Sequence, residues 1–347
     1  MTLLRRSLFL AGLLLATTSL SLTTAAQQQE RFRFKSGIEL VNITATVTGG
    51  DGRFISGLRK EDFTVYDDDK PQEITHFSSE RVPVSLGILL DASGSMRDDK
   101  MSAARAAINH FVNDLLGDDD QLFFMDFNER PHLDQSWTSD RRAITRAMAA
   151  VDPVGGTALY DAIAEALPIA AEGKHGKKAL LVISDGNDSE SRIGAGELRQ
   201  AIRESEVLVY ALGIDGLAKA STSKKQKAPS PPPTGGRPRG GFPFPGGGRG
   251  GFPPVFRQLL TRAGAGDDSV NADALRRITD DTGGRTEIIH DLRDLDDTTA
   301  RIADELSRQY SLGYTSPGLR DGKWHSIRVE VKDATATVRA RKGYISS

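Results

Sequence analysis

Three short segments of the sequence contain hydroxyl and carboxylate side chains in a spacing that could hold a divalent cation. The first reads Asp-Ala-Ser-Gly-Ser and supplies Asp91, Ser93 and Ser95. The second, Gly-Gly-Thr, supplies Thr157, and the third, Ser-Asp-Gly, supplies Asp185. All five are hard oxygen ligands, which suit Mg2+, Mn2+ or Ca2+ better than Zn2+. We therefore predict a divalent-cation site, with Mg2+ as the first choice.

The charge of this ligand set indicates what the site would do. Three of the five candidate ligands are neutral hydroxyls, so the cation would keep unsatisfied charge and an open position. An Asp or Glu side chain of a partner protein could complete it. Two other readings stay open. The serines could cap a helix while Asp185 caps a turn, or the domain could have kept the residues and lost a ligand.

The elements around these segments predict that they meet at one edge of a sheet. Apolar residues 84–90 and 179–184 immediately precede Asp91 and Asp185, as expected of strands buried on both faces of a parallel sheet. Ligands bind beyond the carboxyl ends of such strands. Strands are predicted over 84–90, 122–127, 179–184, 207–213 and 285–289, and helices over 100–116, 141–151, 158–171, 196–205, 272–282 and 294–308. This α/β rhythm predicts a doubly wound, mostly parallel sheet.

Both flanking regions have a strand pattern instead. Residues 38–47, 63–66 and 73–77 are strand candidates, and residues 325–331 and 334–341 alternate about Asp333 in a pattern close to a hairpin. Neither flank has enough strands for a stable sheet by itself. We therefore predict a small β-sandwich built from 33–83 plus 309–345, with the α/β domain, 84–308, inserted between them.

The cation-binding pattern resembles the von Willebrand factor A domain, whose metal-ion-dependent adhesion site reads D-x-S-x-S, then a distant T, then a distant D. All five positions match, and the resemblance covers roughly residues 84–310. The Glu-Asp-Phe-Thr-Val-Tyr segment at 61–66 and the Leu-Gly-Tyr segment at 312–314 also resemble exported bacterial proteins related to that family. The resemblance implies a doubly wound fold, direct metal contacts from the serines and threonine, and contacts of the aspartates through water.

Other acidic residues are weaker candidates. Asp188 shares the loop of Asp185, and Asp126 in the second core strand could reach the same edge, so both are possible outer ligands. The acidic runs 67–69 and 118–120 lack the glycine and glutamate spacing of an EF-hand. We expect these two runs to be solvated turns.

Composition excludes several classes of function. There are no cysteines, which rules out disulfides, thiolate metal sites and cysteine nucleophiles. The formal net charge is -2, which does not favour nucleic acid as a partner. Residues 1–26 read as an export signal, with two arginines before a short apolar run and small residues before Gln27. After cleavage we expect no stable membrane insertion and a periplasmic or extracellular protein. Proline and glycine dominate part of 219–266, so we expect that insertion to be disordered.

We therefore predict a non-enzymatic, metal-dependent adhesion or interaction module that binds an acidic protein partner. One alternative is a metal-assisted hydrolase, in which Mg2+ would polarise a phosphoryl oxygen or a water. The other is a structural envelope protein with a vestigial site. The sequence contains no Walker A or Gly-x-Ser-x-Gly pattern that would favour the hydrolase.

Overall fold

The structure is a computed structural model that describes residues 39–215, 270–316 and 321–346. The predicted export signal and the predicted disordered insertion 219–266 lie outside these described residues, as do 33–38 and 317–320 of the predicted sandwich.

The strands of the described ranges are β1 (Glu39–Thr48), β2 (Phe63–Asp67), β3 (Lys70–Gln72), β4 (Ile74–Ser78), β5 (Val84–Asp91), β6 (Gln121–Phe127), β7 (Pro131–Thr138), β8 (Lys177–Ser184), β9 (Leu208–Ile214), β10 (Thr286–Ile289), β11 (Tyr310–Ser316), β12 (Trp324–Val331), β13 (Thr337–Arg339) and β14 (Gly343–Ile345). The α-helices are α1 (Asp99–His110), α2 (Arg141–Ala149), α3 (Leu159–Ala171), α4 (Ala195–Glu204), α5 (Ala272–Thr279) and α6 (Leu295–Ser307). A π-helical turn, Phe111–Leu115, extends α1.

The central sheet has six strands in the order β10-β9-β8-β5-β6-β7. The first five are parallel neighbours, and β7 is antiparallel to β6. The predicted mostly parallel sheet is thus confirmed, but β7 was not predicted. Its residues are largely exposed or half-buried. An edge strand pairs with a neighbour on one side only, so it lacks the continuous apolar run that marks a buried central strand.

Helices cover both faces of this sheet. Helices α1, α2 and α6 pack on one face with Leu86, Ile88 and Leu90, and α3, α4 and α5 pack on the other with Leu89. Every residue of β5 is buried. This two-sided burial explains why the strand reads as a continuous apolar run. Gly87 in the same strand leaves room for a ring, since a Cβ there would lie 2.2 Å from Cζ of Phe123.

The flanking strands form two further sheets, in the orders β13-β1-β11-β4 and β14-β12-β2-β3. Their facing sides share one hydrophobic core, to which β1 gives Val41 and Ile43, β2 gives Phe63, and β11 gives Tyr310. The predicted β-structure outside the α/β core is therefore present, and its strands come from both sides of that core along the chain.

The predicted hairpin about Asp333 is wrong. Strand β12 pairs with β2 and β14, whereas β13, which follows the turn, pairs with β1 in the other sheet. Asp333 does hold a tight turn, because its carboxylate accepts a hydrogen bond from the Thr335 amide at 2.9 Å. The chain there crosses from one layer of the sandwich to the other. A strand that pairs within the same sheet and a strand that joins the other sheet have the same alternation of polar and apolar residues. The sequence pattern therefore could not distinguish the two.

The expectation that both acidic runs are solvated is also wrong in part. Asp120 is 3% exposed and accepts hydrogen bonds from the amides of Val84 (2.9 Å) and Gly117 (2.8 Å). It therefore fixes the beginning of β5. Asp67 is 6% exposed and accepts hydrogen bonds from two tyrosines of the sandwich core. The donors on Val84, Tyr314 and Tyr344 are distant along the chain, so the residues next to each acidic run do not indicate them.

Candidate metal centre

The three predicted segments lie at the carboxyl end of the central sheet. Asp91 is the last residue of β5, and Asp185 follows the last residue of β8, its parallel neighbour. Ser93 and Ser95 lie in the loop from β5 to α1, which contains a short 3-10 turn, Gly94–Met96. Thr157 lies two residues before α3 begins.

Backbone hydrogen bonds tie these loops together. The Gly94 amide donates to the Gly155 carbonyl at 2.9 Å, which joins the first loop to the second. The Ser189 amide donates to the Thr157 carbonyl at 2.8 Å, and the Thr157 amide donates to Ser189 Oγ at 3.1 Å. The loop of Asp185 is thereby joined to the loop of Thr157, so the candidate ligands are held on a cross-linked frame.

Two glycines make this frame possible. Gly155 has φ +75° and Gly186 has φ +81°, a region that non-glycine residues rarely adopt. A Cβ on Gly186 would also lie 2.6 Å from the carbonyl oxygen of Asn271. Both loops therefore require glycine beside their candidate ligand.

Asp91 is fully buried and both of its carboxylate oxygens are occupied. Oδ1 accepts a hydrogen bond from the Ser93 amide at 2.9 Å, and Oδ2 accepts one from Ser184 Oγ at 2.6 Å. Burial raises the pKa of Asp91 to about 6, and the charge of Asp185 adds to the rise, while the hydrogen bonds from Ser184 and Ser93 oppose it. The carboxylate is held in place at an energetic cost, which a nearby cation would relieve.

The three candidate hydroxyls come from two of the loops. Ser93 Oγ and Ser95 Oγ are 3.0 Å apart, and Ser95 is exposed. Two oxygens in adjacent positions around Mg2+, each at about 2.1 Å, are separated by about 3 Å. Thr157 is 5% exposed, and within the described residues its hydroxyl makes no hydrogen bond. The donor set is oxygen only, so these residues fit a hard divalent cation.

Helix capping does not account for the serines. Ser93 precedes the 3-10 turn but forms no side-chain cap hydrogen bond, and the side chain of Asp98, which precedes α1, forms none either. The capping interpretation holds only for Asp185, whose Oδ1 accepts hydrogen bonds from the Asn187 amide (3.3 Å) and side chain (3.2 Å).

Sequence reasoning missed Lys100, which lies in the first turn of α1. Its Nζ donates to Asp185 Oδ2 at 3.1 Å, with side-chain exposures of 7% and 1%. A signal was present, because Lys100 occupies the same helical stripe as the buried residues Ala104 and Ile108. A lysine on an apolar stripe indicates a buried partner.

The two possible outer ligands have other partners. Asp188 Oδ1 accepts hydrogen bonds from the Tyr160 amide (3.2 Å) and Ser191 Oγ (2.5 Å), so it holds the beginning of α3. The carboxyl of Asp126 lies against Asp134 on the edge strand, and burial together with this neighbour raises the pKa of Asp126 to about 7. Neither contact brings the residue to the hydroxyls.

Two exposed carboxylates flank the loop of Thr157. A Cβ on Gly155 would lie 2.9 Å from Glu129 Oε1, and one on Gly156 would lie 2.9 Å from Glu190 Oε1. Both glutamates therefore lie against the loop, and their negative charge surrounds the candidate site.

Comparison with known proteins agrees with this geometry. Residues 86–187 match the sequence model of the von Willebrand factor type A domain. The chain is 24% identical over 155 residues to inter-alpha-trypsin inhibitor heavy chain H2 of Sus scrofa, a match that covers 40% of this chain and 16% of that relative. The chain thus spans about one sixth of the length of this relative.

The solved structures similar to this chain include the von Willebrand factor type A protein from Catenulispora acidiphila. It is 16% identical with a TM-score of 0.46, and the match covers 90% of this chain and 75% of that chain. The protein BatB from Bacteroides thetaiotaomicron is 19% identical with a TM-score of 0.43, covering 64% of this chain and 98% of its own.

The match at residues 86–187 supports a von Willebrand factor type A domain in that part of the chain, where the sheet is mixed and helices cover both faces. Domains of this class often bind a divalent metal and mostly mediate protein interactions. Within the described ranges, no helix combines the length and apolar character needed to cross a bilayer.

Proposed function

We propose that this chain is an exported, metal-dependent protein-binding module whose cation site binds an acidic side chain of a partner. Asp91, Ser93, Ser95, Thr157 and Asp185 would hold the cation, Mg2+ in the first place and Mn2+ or Ca2+ as alternatives. The bound ion would supply a positive charge with a position open to a carboxylate. The observation that carries the proposal is the pair of serine hydroxyls 3.0 Å apart, one on buried Ser93 and one on exposed Ser95, close to the fully buried carboxylate of Asp91.

The charges of the candidate ligands and of Lys100 support an acidic partner, whereas Glu129 and Glu190 beside the loop of Thr157 oppose one. Asp91 and Asp185 together carry two negative charges, but the Lys100 ammonium neutralises Asp185. The remaining candidate ligands are neutral hydroxyls, so a divalent cation would keep a net positive charge. A partner carboxylate would balance that charge, whereas a neutral or basic side chain would leave it unsatisfied.

The first test is calorimetric titration of Mg2+ and Mn2+ into metal-stripped protein. We expect saturable binding near one ion per chain, which is lost in the Ser93→Ala/Ser95→Ala double variant. Ser102→Ala, an exposed serine of α1, is the matched control and should bind as the wild type does.

The second test addresses the partner. Random peptides displayed on phage are selected on the immobilised protein, once in Mg2+ and once in chelator. The Mg2+ selection should enrich peptides with an essential Asp or Glu, and changing that residue to Asn or Gln should abolish binding. Enrichment that is equal in chelator, or that lacks an acidic residue, would refute the proposal.

We also propose that the site is not catalytic. Both oxygens of Asp91 accept hydrogen bonds and Asp185 is paired with Lys100, so neither carboxylate is free to act as a general base. A hydrolase would turn over a generic phosphoester with Mg2+ and lose that turnover in Asp91→Asn. Such a result would replace the binding proposal.

Export is the remaining part of the proposal and rests on residues 1–26. The chain expressed with this segment in a bacterium should appear in the periplasm or the medium. Its N-terminus, determined by mass spectrometry, should be Gln27. Retention of the full segment on a cytoplasmic protein would contradict export.

A further inference from the structure

A second group of potential ligands lies in the β-sandwich, outside the candidate metal centre. It consists of Asp67 at the end of β2, Asp68 in the following turn and His325 in β12, which we call the Asp-Asp-His cluster. One ligand atom from each residue lies within 4.8 Å of the other two. The imidazole Nδ1 of His325 is 2.9 Å from Asp68 Oδ2 and 4.0 Å from Asp67 Oδ1.

The atoms of the cluster that do not converge are each fixed by another group. Oδ2 of Asp67 accepts hydrogen bonds from Tyr314 (2.8 Å) and Tyr344 (3.0 Å). Nε2 of His325 contacts Asp321 Oδ1 at 3.2 Å.

The third residue is held in the same way. Oδ1 of Asp68 accepts hydrogen bonds from the Ser326 amide at 2.9 Å and its hydroxyl at 3.2 Å. Three side chains are therefore oriented so that their remaining atoms point toward one another.

One of the converging atoms, Asp67 Oδ1, accepts no hydrogen bond within the described residues. The Asp67 side chain is 7% exposed. Within the described residues this oxygen is not one of the fully buried atoms without a partner, so it is open to a water or a cation. Nδ1 of His325 is 4.0 Å from this oxygen, which is too long for a hydrogen bond.

We propose that Asp67, Asp68 and His325 form a second divalent-cation site, separate from the one at Asp91. One imidazole nitrogen and two carboxylate oxygens suit Zn2+ and similar transition-metal ions, whereas Mg2+ and Ca2+ prefer oxygen alone. The contact from Asp321 to the other ring nitrogen matches the carboxylate that commonly orients a metal-binding histidine. Three protein ligands leave a position for water or for an atom of a bound molecule.

The competing interpretation is a simple ion pair. In it the imidazole is protonated and bridges Asp68 and Asp321, and the cluster only joins β2 to β12. The two interpretations differ in one measurable respect, since an ion pair gives no saturable Zn2+ binding at neutral pH.

The test uses untagged full-length chain carrying Asp91→Asn, which disables the first site and keeps the two proposals distinguishable. Zn2+ is titrated at pH 7.5 against a competing chelator. We expect one tightly bound ion, at least 30-fold weaker binding after a further Asp68→Asn change, and a similar loss after His325→Gln. Asp69→Asn is the matched control, because Asp69 lies in the same turn with φ +61° and is exposed. It should leave the affinity within about threefold.

A spectroscopic measurement fixes the location of the ion. Co2+ substituted at the same site should show d–d absorption bands of an imidazole-carboxylate environment, and these should disappear in His325→Gln. Absence of saturable Zn2+ binding in the Asp91→Asn chain would overturn the proposal. The proposal would also be overturned if Asp68→Asn and Asp69→Asn weakened Zn2+ binding equally, because that result would indicate nonspecific attraction to an acidic turn.

Discussion

Lys100 Nζ lies 3.1 Å from Asp185 Oδ2 in a buried ion pair directly beneath the loops of the candidate metal centre. The lysine thus places a fixed positive charge beside a proposed cation ligand. It both holds Asp185 in position and reduces the negative charge available to a metal. In the proposed function, this ion pair would make the site weaker for metal alone and more dependent on a carboxylate from outside.

Lys100→Met should separate these two effects. Removing one partner of a buried ion pair leaves Asp185 uncompensated, so the metal-free protein should lose about 3 kcal/mol of unfolding free energy. The same change removes a repulsive charge, so Mg2+ should bind about tenfold more tightly and recover more stability than in the wild type. Urea unfolding with and without Mg2+ measures both. Lys178→Met is the control, and unchanged or weaker Mg2+ binding by Lys100→Met would contradict the account.

Asp91→Asn should abolish metal binding and still stabilise the metal-free protein. The Asp91 carboxylate is fully buried next to the charge of Asp185, and its pKa is raised from 3.8 to about 6. Removing that buried charge should increase the free energy of unfolding at pH 7 by about 2 kcal/mol. Asp188→Asn is the control: asparagine caps a helix about as well as aspartate, so this change should alter stability little and keep the metal. A destabilised Asp91→Asn protein would show that the carboxylate has a structural partner outside these contacts.

Lys177 should make stability depend on pH in the alkaline range. Burial lowers its pKa from 10.5 to about 8, and the charge of Asp120 only partly opposes this. Between about pH 8 and 10.5 the unfolded chain binds the proton and the folded protein does not, so this group's contribution to stability rises with pH.

Relative to Lys177→Met, the wild type should therefore gain about 2 kcal/mol between pH 7.5 and 10. Urea unfolding of both proteins across this range measures the difference, and Lys178→Met should show no such trend. Parallel curves for the wild type and Lys177→Met would contradict the lowered pKa.

Glu305→Gln tests the connection between the α/β core and the sandwich. Glu305 on α6 is 3% exposed and accepts hydrogen bonds from Tyr210 of β9 (3.1 Å) and Thr46 of β1 (3.4 Å), and its carboxylate also contacts Arg339 of β13. Neutralising it leaves Arg339, whose side chain is 24% exposed, without its counter-charge, so stability should fall by about 2 kcal/mol. Asp304→Asn on the same helix, an exposed i,i+4 pair, should cost less than about 0.5 kcal/mol.

Glu190→Gln tests the negative charge around the loop of Thr157. Because Glu190 would repel an acidic ligand, its neutralisation should tighten binding of a selected acidic peptide about threefold at low salt. The gain should disappear at about 1 M salt, where such charges are screened. A gain that persists at high salt would indicate a new hydrogen bond from the glutamine amide to the peptide, and not the loss of repulsion.

The sequence predicted the parts of this protein that depend on local patterns. The strands before Asp91 and Asp185 were identified because burial on both faces demands an unbroken apolar run. Because these strands are parallel, the loops that follow them lie at the same edge of the central sheet. The edge strand β7 and the partner of β12 were missed, because polarity along a strand does not specify its neighbour.

The candidate metal centre was likewise predicted only in the part that depends on local sequence. Asp91, Ser93 and Ser95 are close in sequence, so their proximity could be expected, and the structure shows the contacts between them. The ion pair of Lys100 joins residues 85 positions apart, and the Asp-Asp-His cluster joins residues more than 250 apart. Contacts of this kind follow from the assembled fold, and no spacing rule along one chain predicts them.

The pairing of β1 with β11 also has a kinetic consequence. Val41 faces Tyr314 in this ladder, so closing it brings together residues separated by most of the chain, a slow step because of the loop entropy involved. The α/β core between them is made largely of neighbouring elements and can form earlier. During synthesis β1 must wait, with its apolar side chains unprotected, until β11 has emerged. We expect the sandwich to close last, and the chain to be most prone to aggregation in that interval.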